Sequence, residues 1–290
     1  MNHPFNPLET ANELRLAVVS PSATWPGLTK SGYGVGEPGL YYPNGERMFF
    51  RVVPSDDIQG RVAAEWLSDK NHTSICIVRQ ENPYSTRLTN LMLSNAEDFG
   101  ITIAGNTIYD ETTITDAEIQ ALVATIDQAS VDAIYYPVVV IDSANSRTYD
   151  LLNALHASDP ARPIMGGDGL IGGLRADNSP LTNVFATSFQ IDLDQTPEIV
   201  EFVAAYEAKF DVTVTVSDYY AVATYEAVQV VLDAIARAGE TPTRSSVLQA
   251  LRDTESYQGI LGQWSFDDNG DTTYTGFGVM TIENGAWVAP

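Results

Sequence analysis

The sequence predicts an α/β fold assembled from parallel strand–helix units, and three observations carry that prediction. Short β-branched runs alternate along the chain with longer amphipathic segments. Residues 131–140 are almost continuously apolar, the pattern of a strand covered on both faces. Capping residues and glycines sit where the helical stretches should start and stop.

Taken in order, residues 14–20 form the first strand candidate. Residues 57–67 read as a helix, with Asp56 and Gln59 spaced as a capping box. Residues 73–80 follow as a strand. Residues 85–99 follow as a helix with Leu88, Leu91, Met92 and Ala96 on one face and Gly100 as its stop. Residues 101–109 make the next strand, and Thr115 with Glu118 caps a helix that turns Ile119, Leu122, Val123 and Ile126 inward. After the apolar run 131–140, a helix over residues 143–157 leads to a short strand at 163–165 and then to Gly166-Gly-Asp-Gly169.

Residues 184–190 read as a strand, and Thr196-Pro197 opens a helix that runs to Phe210. The segment 219–238 is the longest helix, apolar nearly all round and therefore expected to be buried, with Gly239 ending it. Residues 243–252 add one more. The ending changes character: residues 263–266, the turn Asp267-Asp-Asn-Gly270, residues 275–283 and residues 286–288 read as antiparallel hairpins. The strand-to-turn transition at Pro54-Ser-Asp-Asp57 is the expected domain boundary.

Composition excludes several classes. The chain has 290 residues, 15 Lys+Arg against 38 Asp+Glu, a net charge of −23 and no basic cluster, so a nucleic-acid partner is excluded. No stretch approaches the roughly 20 apolar residues of a membrane span. Residues 1–15 hold no apolar run long enough for a signal peptide. Cys76 stands alone in an apolar run and reads as a buried side chain.

The chemical motifs are weak. Gly34-Val-Gly36-Glu-Pro-Gly39 has the GxGxxG form, but it neither leaves a strand nor enters a helix, so it reads as a surface loop. Asp267-Asp-Asn-Gly-Asp271 lacks the glycine and glutamate that a calcium loop needs and reads as a turn. His3, His72 and His156 lie near no nucleophile motif, and no zinc spacing occurs. The reading is a chain that is not an enzyme, with no metal and no cofactor.

Three loops stand out because ligands of open α/β sheets bind beyond the carboxyl ends of the strands. Ser20-Pro-Ser-Ala-Thr24 follows the first strand, Tyr84 follows the strand 73–80, and Asp168 sits among glycines after the strand 163–165. Hydroxyls and amides, an aromatic wall and one carboxylate suit a zwitterion such as an amino acid.

Val19-Ser-Pro-Ser-Ala-Thr24, Phe50-Arg-Val-Val-Pro-Ser-Asp-Asp-Ile-Gln-Gly60, Met165-Gly-Gly-Asp-Gly169 and Trp264-Ser-Phe-Asp-Asp-Asn-Gly-Asp271 together resemble the leucine/isoleucine/valine-binding proteins. These are the type I solute-binding proteins of branched-chain amino-acid ABC transporters. The resemblance runs in order from Ala11 to Pro290. It implies two Rossmann-like lobes joined by three crossovers, near residues 50–57, 187–194 and 257–262. Lobe one would hold residues 1–53 and 191–258, and lobe two residues 54–190 and 259–290.

By the same resemblance, Ser22 (backbone), Ala23 and Thr24 (hydroxyl and amide) would receive the ligand carboxylate. Asp168 would pair with the α-ammonium, and Tyr84 would wall the pocket. A second pocket aromatic expected near Val138-Val139 is absent, and residues 33–49 look like an insertion. Family members begin with about a hundred further residues, judged by usual lobe size. The first lobe is therefore expected to be incomplete at its N-terminus, with strand 14–20 short of sheet neighbours and apolar helix faces uncovered. The implied role is capture of a branched-chain amino acid or similar small amide for ABC-transporter permease subunits, in a periplasmic or extracytoplasmic setting. The alternative is a ligand-sensing domain of the same fold acting on a partner protein.

Overall fold

The computed structural model describes residues 7–140, 146–173, 181–191, 193, 196–215 and 218–289. Its elements begin with α1 (Pro7–Glu13), β1 (Val18–Ser20), β2 (Phe49–Arg51), α2 (Asp56–Asp69), β3 (Ser74–Gln80), α3 (Pro83–Ala96) and β4 (Thr102–Tyr109). Next come α4 (Asp116–Ala129), β5 (Ala133–Tyr136), α5 (Arg147–Ser158), β6 (Ile164–Gly166), α6 (Asp168–Gly173) and β7 (Val184–Phe189). The rest are α7 (Pro197–Phe210), α8 (Tyr219–Arg237), α9 (Arg244–Arg252), β8 (Tyr257–Gly259), β9 (Gly262–Trp264), β10 (Phe277–Glu283) and β11 (Ala286–Val288).

The chain divides into two compact units, Met1–Ser55 with Ile191–Gly276 and Asp56–Gln190 with Phe277–Pro290. The segment 259–276, assigned to the second lobe from sequence, belongs to the first unit. Among the contacts that hold it there, Trp264 donates to Glu226 on α8, and Asp271 pairs with Arg51 of β2. The chain therefore leaves the first unit after Gly276 and not near residues 257–262. Of the crossover expected at 187–194, Asp192 and Asp194 lie outside the described residues, as do Ser143 at the expected start of α5 and His3.

The second unit is built on a seven-stranded sheet of order β11-β10-β7-β6-β5-β3-β4. Strands β3 to β7 pair in parallel, and β10 closes the sheet antiparallel to β7 with β11 beyond it. The core joins Ala63, Ala64 and Leu67 of α2 and Met92 and Ala96 of α3 to Ile75, Ile77, Tyr135 and Met165 from the strands. Gly60 lets α2 and α3 meet closely, since a Cβ there would stand 2.8 Å from Leu91 Cβ.

Helix starts follow the sequence pattern. Thr115 and Glu118 form the reciprocal capping box of α4, and Thr196 caps α7 ahead of Pro197. Strand β5 is shorter than the apolar run 131–140. Beyond Tyr136 the chain turns away, and Gln80 captures the N–H and carbonyl of Val139 with its own side-chain amide.

In the first unit β1 and β2 form a parallel pair, and β8 and β9 an antiparallel hairpin. The first strand begins four residues later than the sequence pattern suggested, at Val18 instead of residue 14. The reason is helical: Leu14 and Leu16 donate back to Thr10 and Ala11, closing α1 through Arg15 in the left-handed region (φ 53°). Helix α8 is not buried all round. Val222, Glu226, Val230 and Ala234 face inward, while Val228 is 50% and Leu232 53% exposed. Uniform apolarity cannot tell one face of a helix from the other.

Glu226 on α8 is fully buried. It accepts from Trp264 Nε1 at 2.6 Å and from the Ile260 N–H at 3.1 Å, which fastens the β8–β9 hairpin to the helix. Burial raises its pKa above the ordinary 4.5 despite these donors. The folded state thus binds this proton more tightly than the unfolded chain. The associated stability is complete below the unfolded value and is lost as pH rises through the raised one. Glu226→Gln, neutral at every pH, should accordingly gain in melting temperature relative to the wild type as pH rises above the ordinary carboxyl value of 4.5. A pH-independent difference between the two melting curves would show that this proton is held equally in both states.

Candidate functional site

Two clusters gather the residues singled out from sequence, one in each unit. In the second unit the site is built where β3, β6 and β7 end. Asn82 caps α3 by accepting from the Ser85 N–H, and Pro83 starts the helix, which sets Tyr84 in the first turn. Tyr84 Oη donates to Asp168 Oδ1 at 2.6 Å and itself accepts the Gly169 N–H at 3.2 Å. Gln59 Nε2, from α2, donates to the same Asp168 oxygen at 3.0 Å and to the Thr187 carbonyl and hydroxyl at 3.2 and 3.1 Å.

Asp168 is only 7% exposed. A carboxylate so enclosed requires charge-assisted hydrogen bonds, and the phenol and amide supply them. Burial, reinforced by the charge of Asp168, pushes the Tyr84 hydroxyl well above its ordinary value of 10.0, so it stays protonated and acts as a donor. Gly167 has to be glycine, because a Cβ there would run into the Tyr84 hydroxyl.

Tyr135 and Asp56 join this cluster, although sequence reading gave neither a part in it. Burial raises the Tyr135 hydroxyl, with the charges of Asp56 and Asp168 adding to it. Among the described residues, Tyr135 Oη and Gln59 Oε1 are buried polar atoms with no hydrogen-bond partner. Such atoms cost about 1–3 kcal/mol each and mark places where polarity serves something other than stability. Asp56, Asp168, Tyr84 and Tyr135 together make a largely buried cluster of carboxylates and hydroxyls whose charge suits a cationic group. The Asp56–Gln59 spacing was the available signal. It puts both side chains on one face of a helix, but read as a capping box it pointed to the backbone.

In the first unit, Ser22, Ala23 and Thr24 share the loop that leaves β1. Ser20 Oγ accepts the N–H of Ser22 at 3.2 Å and that of Ala23 at 2.9 Å, so both amides turn back on the strand end. Thr24 is half-buried, and among the described residues its N–H and hydroxyl make no hydrogen bond. The loop thereby offers a neutral donor pair suited to an anionic oxygen. The Gly34–Gly39 motif lies in an exposed loop that continues into a short 3-10 turn, Gly39–Tyr41, with no helix behind it.

Val138, where a second pocket aromatic was expected, is fully buried. Tyr136 beside it is spent internally on Tyr109 and the Thr148 carbonyl. Among the described residues no three His, Cys, Asp or Glu side chains cluster as metal ligands. No helix among them is long and apolar enough to cross a membrane.

Comparison with known proteins places this geometry in context. A family model described as periplasmic binding protein matches residues 9–286. A Leu/Ile/Val-binding protein homolog of Brucella melitensis is 23% identical over 285 residues, covering 96% of this chain and 69% of the relative. The chain spans about two thirds of the length of the curated relatives it matches. Among solved structures, an ABC transporter substrate-binding protein from Desulfitobacterium hafniense in complex with Leu aligns with a TM-score of 0.75 at 21% identity, over 98% of this chain and 76% of the other. A solute-binding protein from R. palustris in complex with benzoate aligns with a TM-score of 0.76 at 15% identity, over 97% and 72%. At these identities the structural likeness establishes the fold, mixed α/β around a mostly parallel sheet.

Proposed function

We propose, from the premise that this chain belongs to the periplasmic binding protein family, that it is the solute-binding component of an ABC transporter and captures a small α-amino acid of the branched-chain type. Nothing is made or broken in this role. The ligand is taken up reversibly and passed to permease subunits in the extracytoplasmic space. The observation that carries the amino-acid reading is the Asp168 carboxylate, buried and fixed by Tyr84 and Gln59. A buried carboxylate favours a ligand ammonium and repels an aromatic carboxylate of the benzoate kind. The N–H and hydroxyl of Thr24 receive the ligand carboxylate in this reading, since the Ser22 and Ala23 amides are taken by Ser20.

Thermal unfolding across a ligand panel tests it. Leucine, isoleucine, valine and alanine are compared with benzoate. A ligand at 100 times its Kd adds about 2.7 kcal/mol, a shift of several degrees. A shift with amino acids and none with benzoate is the expected outcome. The reverse pattern would assign the site to anionic aromatics and end the amino-acid reading.

A further inference from the structure

Arg51 ends strand β2 and has no solvent exposure. Its Nε donates to Asp271 Oδ1 at 2.7 Å, and its Nη2 donates to the Thr29 hydroxyl. That hydroxyl in turn donates to Asp271 Oδ2 at 3.0 Å, and Lys30 Nζ lies 3.6 Å from the same oxygen. One guanidinium arm remains. Nη1 donates to the carbonyl of Ala23 at 3.2 Å and to that of Trp25 at 2.9 Å.

Those two carbonyls flank Thr24, and this placement has a geometric consequence. The Ala23 carbonyl and the Thr24 N–H belong to one planar trans peptide, in which they point in opposite directions. Drawing the Ala23 oxygen onto Arg51 therefore turns the Thr24 N–H away from the guanidinium. The Trp25 carbonyl fixes the next turn of the chain, and Glu37 holds the Trp25 indole N–H at 3.0–3.1 Å. A planar guanidinium with rigid donors suits this task better than a flexible ammonium.

We propose that Arg51, oriented by Asp271 and Thr29, is the positioning residue that aims the Thr24 N–H and hydroxyl at a ligand carboxylate. This rests on the reading that the Ser22–Thr24 loop meets the ligand. It goes further by assigning the carboxylate specificity to a buried charge network that touches no ligand itself.

The test crosses a protein variant with a ligand variant. Leucine and leucinol, whose carboxylate is replaced by a hydroxymethyl group, are titrated into the wild type and Asp271→Asn. The expected result is a loss of about tenfold for leucine and less than about twofold for leucinol. Equal losses for both ligands, or none for either, would overturn the proposal. Either outcome would make the network purely structural.

Should Asp271→Asn not fold, Thr29→Val keeps the ion pair and removes only the bridging hydroxyl, with the same selective loss expected. Hydrogen exchange in the ligand-free variants reads the loop without any ligand. Amides of residues 21–28 are expected to exchange faster while the rest of the first unit is unchanged, and a uniform rise or no rise counts against the proposal. Thr24→Pro, which removes both the N–H and the hydroxyl, separates the two layers. If it leaves leucine affinity intact, the loop reading falls and the positioning role falls with it. If it weakens leucine while Asp271→Asn does not, only the positioning role is lost.

Discussion

Asp168→Asn is expected to weaken binding of an α-amino acid roughly 10- to 150-fold, equivalent to about 1.5–3 kcal/mol for one charge-assisted hydrogen bond. The substitution keeps the side-chain shape, and the remaining carbonyl oxygen can still accept from Tyr84 and Gln59, which now meet at Oδ1. What disappears is the negative charge, and the new amide N–H₂ points donors toward an ammonium that is itself only a donor. Because Asp168 is almost fully enclosed, the charge acts with little solvent screening. Titration calorimetry with leucine, alongside an unchanged melting temperature of the ligand-free variant, isolates this effect. Undiminished affinity would remove Asp168 from the site.

Arg51→Met is expected to cost the folded protein about 3–5 kcal/mol, because it leaves Asp271 buried without its principal counter-charge. The Arg51 side chain is completely enclosed and that of Asp271 is 8% exposed, so water cannot take over the solvation of the surviving carboxylate. The double variant Arg51→Met with Asp271→Leu should recover much of the loss, since an apolar pair of similar volume is often as stable as a buried ion pair. Urea denaturation of the two singles and the double measures this coupling. A single-variant loss below about 1 kcal/mol would mean that Thr29 and Lys30 carry Asp271 without the arginine.

How far the sequence foretold this arrangement depended on how locally each feature is determined. Thr115 with Glu118 and Thr196 with Pro197 start their helices through bonds spanning three residues, and those starts were readable. Asp168 was readable as a candidate site residue because it interrupts a glycine run just after a strand. Gln59 and Thr187 were not. Both sit inside regular elements, where a polar residue looks like a cap or a solvated face until a partner more than a hundred residues away explains it. The misplacement of segment 259–276 has the same origin, since the Asp271–Arg51 pair bridges a separation of 220 residues. Residues 14–16 failed differently: their apolar alternation is that of a strand, but hydrogen bonds back to α1 claimed them first.

The β10–β11 hairpin that flanks β7 bears on how the protein is made. Strands β3 to β7 leave the ribosome in one continuous stretch, yet the antiparallel neighbour of β7 is not synthesised until the whole segment Ile191–Gly276 of the other unit has followed. At elongation rates of about 5–20 residues per second, β7 waits several seconds as an open edge. During that interval it is a template for pairing with any extended chain nearby. A nascent chain of this kind is therefore a natural client for a chaperone that covers strand edges, and its yield should depend on translation speed between residues 190 and 277 more than on the stability of the finished sheet.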